Sequence, residues 1–183
     1  MVSYLWDNFF RKNQKNEQIE SILSENFIFR TLTPSELHFV KQLVHYRSYR
    51  PGEIIFRQGE LGVGMYIIVK GAVNITVEDL QASSESAGDV FVTRLGTSDF
   101  FGEIALIEQT GRRTATATAA DEVIVLGFYK PDLAEIIERN PRTGVKIVSR
   151  LAEVLGHRLK ETAERFTELK REVKEMNSNN ALS

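Results

Sequence analysis

The sequence predicts an α+β protein: a small antiparallel β-barrel or jelly roll, preceded by helices and followed by a long C-terminal helix. Three observations predict it. Short segments rich in Val, Ile, Phe and Tyr crowd between residues 46 and 129, divided by glycine turns that leave no room for crossover helices. Helical periodicity flanks this zone on both sides. On the C-terminal side it lengthens into a heptad repeat.

Residues 1–45 form the N-terminal helical segment. SYLWDNFFRK and EQIESIL each gather apolar residues on one helical face, and TPSELHFVKQLV opens with Thr33 as N-cap, Pro34 at N1 and Glu36 at N3, a capping box. Leu37, Val40, Leu43 and Val44 give that helix a buried stripe. The aromatics of YLWDNFF are expected to pack on the barrel rather than on a membrane surface or a partner.

Residues 46–129 form the barrel. EIIFRQ, MYIIVK, AVNITVED, DVFVTRL and EVIVLGFY read as strands, separated by PGE, QGELGVG, KG, QASSESAG and GTSD. Residues 130–176 return to helix, with Pro131 and Pro141 at N1 positions and Asn140 as an N-cap. From there Val148, Ala152, Leu155, Leu159, Thr162, Phe166, Leu169, Val173 and Met176 alternate steps of four and three. Their flanks are densely charged, and a seam this long is buried most simply against a second copy, giving a parallel homodimer through Val148–Met176. Residues 177–183 read as a disordered polar tail.

The chain has 183 residues, enough for one domain with an appendage. Its formal net charge of -2 gives no global field favouring nucleic acid or an anionic membrane. The absence of cysteine excludes disulfides and thiolate chemistry. No apolar run approaches a membrane span and no signal-peptide core opens the chain, so a cytoplasmic location is expected. His38, His45 and His157 fall on helices or helix ends. The barrel zone thus lacks the paired histidines that a cupin-type metal centre would need, and no metal site is expected. No P-loop, GxSxG or HExxH motif is present, and neither catalytic residues nor enzyme activity are expected.

The stretch with chemical content is Phe101–Ala119, FGEIALIEQTGRRTATATA, inside the cassette 99–119. Ser98 and Asp99 are N-cap types, and FGEIAL is long enough for about one and a half turns of helix. A helix start there would offer unpaired N–H groups to an anion, with Gly102 leaving them accessible. Arg113, across the turn at Gly111, can bind a phosphate bidentately. Glu103 would repel that phosphate and makes sense only facing a donor such as a sugar hydroxyl. Arg112 is expected to be a solvated charge, since one guanidinium suffices. The pattern asks for a ligand carrying a phosphate and a sugar hydroxyl close together.

FGEIAL followed by GRRTATA resembles the phosphate-binding cassette of cyclic nucleotide-binding domains. Bacterial catabolite activators, regulatory subunits of cAMP-dependent kinase and cyclic nucleotide-gated channels carry this domain. YRPGEIIFRQGELGVGMYIIVKGAVNI is similar to the family's first strands, with Gly52, Gly59 and Gly71 at its turns, and NFIFRTLTPSEL to its helical lead-in. The resemblance runs from about residue 27 to 165. It implies that Glu103 holds the ribose 2'-hydroxyl and Arg113 the cyclic phosphate. Gly102 and Ala105 would allow close backbone approach, Ile104 and Ala115 would complete the cassette lining, and Thr114 would add a hydroxyl contact. Val92 and Thr93 would lie on the base side and Thr162 would close over the base. Relatives usually have Gly where this chain has Ser98, and the last helix runs about one turn longer before HRLKETAERF.

The implied function is a cyclic nucleotide sensor, for cAMP or cGMP, that needs no further cofactor and signals to a protein effector through its C-terminal helix. Cyclic dinucleotides fit less well. No helix-turn-helix follows the heptads, so DNA is not an expected partner. The alternatives are the sensor piece of a larger effector, or a coiled-coil scaffold whose barrel takes no ligand.

Overall fold

A computed structural model describes residues 17–78, 89–108 and 110–180. The expected helix over SYLWDNFFRK, the loop QASSESAG and the last three residues lie outside the described residues. The chain divides into two compact units, Met1–Ile147 and Val148–Ser183.

The first unit opens with α1 (17–25) and α2 (Pro34–Leu43). Thr33 caps α2 by the expected box: its hydroxyl accepts from the Glu36 N–H at 3.3 Å, and the Glu36 carboxylate accepts from the Thr33 N–H at 2.7 Å. Of the predicted stripe, Leu37 and Val40 are buried. Glu36 has a second duty. Both its oxygens accept from Lys146 Nζ, at 2.8 and 2.7 Å, and this ammonium, with the Thr33 bonds, lowers its pKa from 4.5 to about 2.

Eight strands follow: β1 (His45–Tyr49), β2 (Ile54–Phe56), β3 (Gly64–Lys70), β4 (Val73–Glu78), β5 (Asp89–Leu95), β6 (Phe100–Phe101), β7 (Thr116–Ala119) and β8 (Val123–Tyr129). They build two antiparallel four-stranded sheets, ordered β1-β8-β3-β6 and β2-β7-β4-β5, the expected jelly roll. Between the sheets lie Phe56, Tyr66, Ile68, Val73, Phe101, Ala117, Ala119, Val123 and Val125. β3 is buried on both faces. Tyr66 and Ile68 point into the barrel, while alternation sends Met65 and Ile67 to the other face, where Phe29 packs edge-on against Phe128 with centroids 5.5 Å apart.

Three strands were not predicted. β1 reads HYRSY and is largely exposed, so no hydrophobic alternation betrays it; pairing with β8 makes it a strand. His45 therefore opens β1 rather than closing a helix, a correction to the helical segment 1–45. Its Nε2 lies 3.2 Å from Asp132 Oδ1. β6 has two residues, and β7 reads TATA, small residues that carry no strand signal until β2 and β4 pair with them.

α4 (Lys130–Arg139) and α5 (Pro141–Asn180) end the described chain. Asn140 Oδ1 accepts from the Thr143 N–H at 3.3 Å, as its N-cap role requires. In the second unit Leu151 and Val154 are buried, each one residue short of the heptad positions Ala152 and Leu155. The seam itself is exposed: Leu159 is 71% accessible, Phe166 68% and Leu169 59%. α5 also passes the predicted end of helix at Met176 and reaches Asn180, since extending an existing helix needs no new nucleus.

Candidate functional site

The cassette does not begin as a helix. Ser98 and Asp99 cap no helix; they belong to a turn in which Asp99 Oδ2 accepts from the Gly96 N–H at 2.8 Å. Ser98 stands at φ 72, left-handed, which is why a glycine suits this position. β6 follows, pairing Phe101 with Tyr66, and only then does α3 (Ile104–Ile107) form, four residues long with Glu103 at its N-cap. The strand pairing takes the residues a longer helix would have used. An anion at this segment would therefore meet side chains and individual amides rather than an extended helix dipole.

Gly102 joins β6 to α3 at φ 76. Its carbonyl accepts from the Ala105 N–H at 3.2 Å and from Arg113 Nη1 at 3.2 Å. A Cβ here would overlap Arg113 Nη1, so glycine is required both by the backbone and by the guanidinium beside it. Ala105 is buried, and its smallness serves the turn at Gly62, where a Cβ would stand 2.5 Å from the Ala105 Cβ.

Glu103 and Arg113 are 1% and 6% accessible, exceptional for charged residues. The Arg113 guanidinium sits over the Phe56 ring, its Cζ 3.9 Å from the centroid, with Tyr66 at 5.8 Å. Burial pulls the Arg113 pKa down, opposed by Tyr66, Glu60 and Glu103. Tyr66 is itself pushed up to about 12, chiefly by burial and then by Tyr129 and Tyr49. Arg113 Nε is buried and finds no hydrogen-bond partner among the described residues. The arrangement is a desolvated cation held in orientation by an aromatic floor and one carbonyl. A buried acid lies near enough to interact with it. An anion brought here would meet the guanidinium at reduced dielectric.

The other expected residues are distributed more loosely. Ile104 and Thr114 are exposed, and Ala115 is half-buried between Thr114 and the buried Thr116. Val92 and Thr93 are exposed on β5, at the edge of its sheet. Thr93 pairs with Ile75, whose side chain packs on the barrel core, whereas Val92 is the extra residue where the register shifts. Thr162 belongs to the second unit. It is exposed, and its hydroxyl donates to the Arg158 carbonyl at 2.7 Å, within α5.

Sequence reasoning missed Phe56 and Tyr66, which lie 57 and 47 residues before Arg113; nothing local to EIIFRQ or MYIIVK marks them as a floor for a guanidinium. It also underrated Arg112. That side chain is exposed, as expected, yet its Nη1 donates to the Gly59 carbonyl at 2.6 Å.

Comparison with known proteins agrees with the fold. A cyclic nucleotide-binding domain model matches residues 46–140, just over half of the chain. A putative potassium channel protein from Rhodopseudomonas palustris is 35% identical over 120 residues, covering 66% of this chain and 27% of the relative. The cyclic AMP receptor protein of Thermus thermophilus is 29% identical over 134 residues, covering 73% and 57%. The crystal structure of Thermus thermophilus catabolite activator protein superposes with a TM-score of 0.69 at 28% identity, covering 79% of this chain and 63% of that one. The chain thus spans less than two thirds of each of these proteins. With the family match over more than half of its length and a two-sheet jelly roll, the chain belongs to the cyclic nucleotide-binding domain family.

Proposed function

We propose that this chain is a cyclic nucleotide sensor that binds cAMP or cGMP in its jelly roll. Arg113 engages the cyclic phosphate and Glu103 the ribose 2'-hydroxyl. The observation that carries the reading is the buried Arg113, whose Nε has no partner among the described residues and whose Cζ sits 3.9 Å from the centroid of the Phe56 ring. A cation so desolvated is costly to the fold and is compensated by an anion with matching acceptors. Gly102 keeps the backbone beside it open, and Thr114, Ala115, Ile104 and Ala105 line the cassette. Val92 and Thr93 supply the base side. Thr162 bonds within α5, and the reading does not depend on it.

The ligand's signal passes through a dimer of α5. The exposed residues Leu159, Phe166, Leu169, Val173 and Met176 support this, because they repeat at heptad spacing along one uninterrupted helix. A shift between two dimer arrangements is limited to the difference in nucleotide affinity for the two. The effector is a protein rather than DNA or membrane, and the site of action is the cytoplasm. Among the described residues, no helix is long and apolar enough to cross a membrane.

Calorimetric titration with cAMP and cGMP tests the site. Wild type should bind at least one of them, and Arg113→Ala should bind neither, since losing the phosphate partner in a desolvated site costs about 3–5 kcal/mol. Near wild-type affinity in Arg113→Ala would sink the assignment. Absence of any thermal shift in wild type with either nucleotide would favour a scaffold instead.

A further inference from the structure

Arg112 has no duty toward the nucleotide in this reading, yet its surroundings give it one. Its Nη1 bond to the Gly59 carbonyl, at 2.6 Å, is one of several ties between two segments. Its backbone bridges Leu61 in antiparallel fashion. The Gly59 N–H donates to the Arg113 carbonyl at 2.8 Å, the Arg113 N–H to the Glu60 carbonyl at 2.8 Å, and the Gly62 N–H to the Gly111 carbonyl at 2.9 Å. The turn Gly59–Gly62 is therefore stitched to the backbone from which Arg113 projects. It also reaches the guanidinium: a Cβ on Gly62 would stand 3.5 Å from Arg113 Nε. Gly59 holds φ 82, a conformation open to glycine at little cost.

We propose that Arg112 is a positioning residue for the phosphate site. Its clasp on Gly59 fixes the Gly59–Gly62 turn against residues 111–113, and with it the point from which Arg113 reaches its ligand. The inference rests on the reading of Arg113 as the phosphate ligand. The clasp lies on an exposed edge, where water competes for neutral backbone bonds, and a charge-assisted bond holds better there than an amide. A one-ångström displacement of a ligand-binding cation is enough to weaken a site that depends on orientation.

The test combines two measurements on Arg112→Ala and Arg112→Lys in the full chain: calorimetric affinity for cAMP and cGMP, and amide hydrogen exchange without nucleotide. Arg112→Ala should bind about five- to tenfold more weakly, the size expected for one charge-assisted bond at the surface. The Gly59, Gly62 and Arg113 amides should exchange faster, with β3 and β8 unchanged. Arg112→Lys keeps one donor and should recover most of both effects. Unchanged affinity in Arg112→Ala overturns the proposal, whatever the exchange shows. Weaker affinity with unchanged exchange also overturns it, because Arg112 would then touch the nucleotide directly. Should wild type bind neither nucleotide, the sensor reading fails on its own. Exchange then decides the clasp alone: faster exchange at Gly59 and Gly62 sustains it, and wild-type exchange removes it.

Discussion

The two compact units invert the ordinary partition of residues in opposite ways. The first hides charge: Glu103 and Arg113 are buried in a barrel otherwise filled with aromatic and aliphatic side chains. The second shows grease, carrying Leu159 and Phe166 on the outside of a helix crowded with charges. Each arrangement is unfavourable for an isolated chain. The chemistry of the misplaced groups names the remedy. A buried guanidinium over an aromatic ring calls for a small anion, and a heptad-spaced apolar stripe calls for another helix.

The sharpest way to break this contrast is to put charge on the exposed stripe. Leu159→Asp combined with Phe166→Asp should turn a dimer into a monomer in sedimentation, a loss of about 6–10 kcal/mol per dimer. An unchanged dimer would refute the seam. The converse change puts an apolar group in the barrel. Arg113→Met should lose the roughly 3–5 kcal/mol of phosphate binding while leaving thermal stability equal or higher, because a buried charge is replaced by a side chain suited to Phe56. A large fall in melting temperature would show that Arg113 holds the fold rather than a ligand.

Gly102→Ala probes the turn that lets the two buried groups coexist. Left-handed backbone and overlap with Arg113 together should cost about 2–3 kcal/mol, read by denaturant unfolding. Glu36 tests a charge at the edge of the same unit. Its folded pKa of about 2 lies below the ordinary 4.5, so the folded state binds fewer protons and the stabilisation is complete above pH 4.5. It drains away as pH falls through about 2. Glu36→Gln should therefore destabilise by about 1–2 kcal/mol at pH 7, discounted for solvent around Lys146, and by almost nothing near pH 2. A pH-independent difference would remove the ion pair as cause. The smallest effect is a gain: Ser98→Gly should raise stability by about 0.5–1 kcal/mol by relieving a left-handed serine.

The legible parts of this molecule were those written in local chemistry. The Thr33 capping box, the Asn140 cap and the strands of MYIIVK and EVIVLGFY needed only neighbours in sequence. The cassette was legible because Glu103, Gly102 and Arg113 lie within one short stretch. Its conformation differs from the expectation: FGEIAL reads as helix throughout, but the pairing of Phe101 with Tyr66 makes its first residue strand and delays the helix to Ile104. Arg112 looked solvated, because its acceptor, the Gly59 carbonyl, is 53 residues away in the chain.

The sequence by itself determined the jelly roll with its helical flanks, the identity of the two buried charges and the heptad period of the last helix. Periodicity, turn residues and caps act over a few residues and survive without tertiary context. Only the tertiary structure decided that β1, β6 and β7 are strands, that Phe56 and Tyr66 form a floor for Arg113, and that Arg112 reaches Gly59. Each depends on segments far apart in sequence, and the barrel must close before any of them meet.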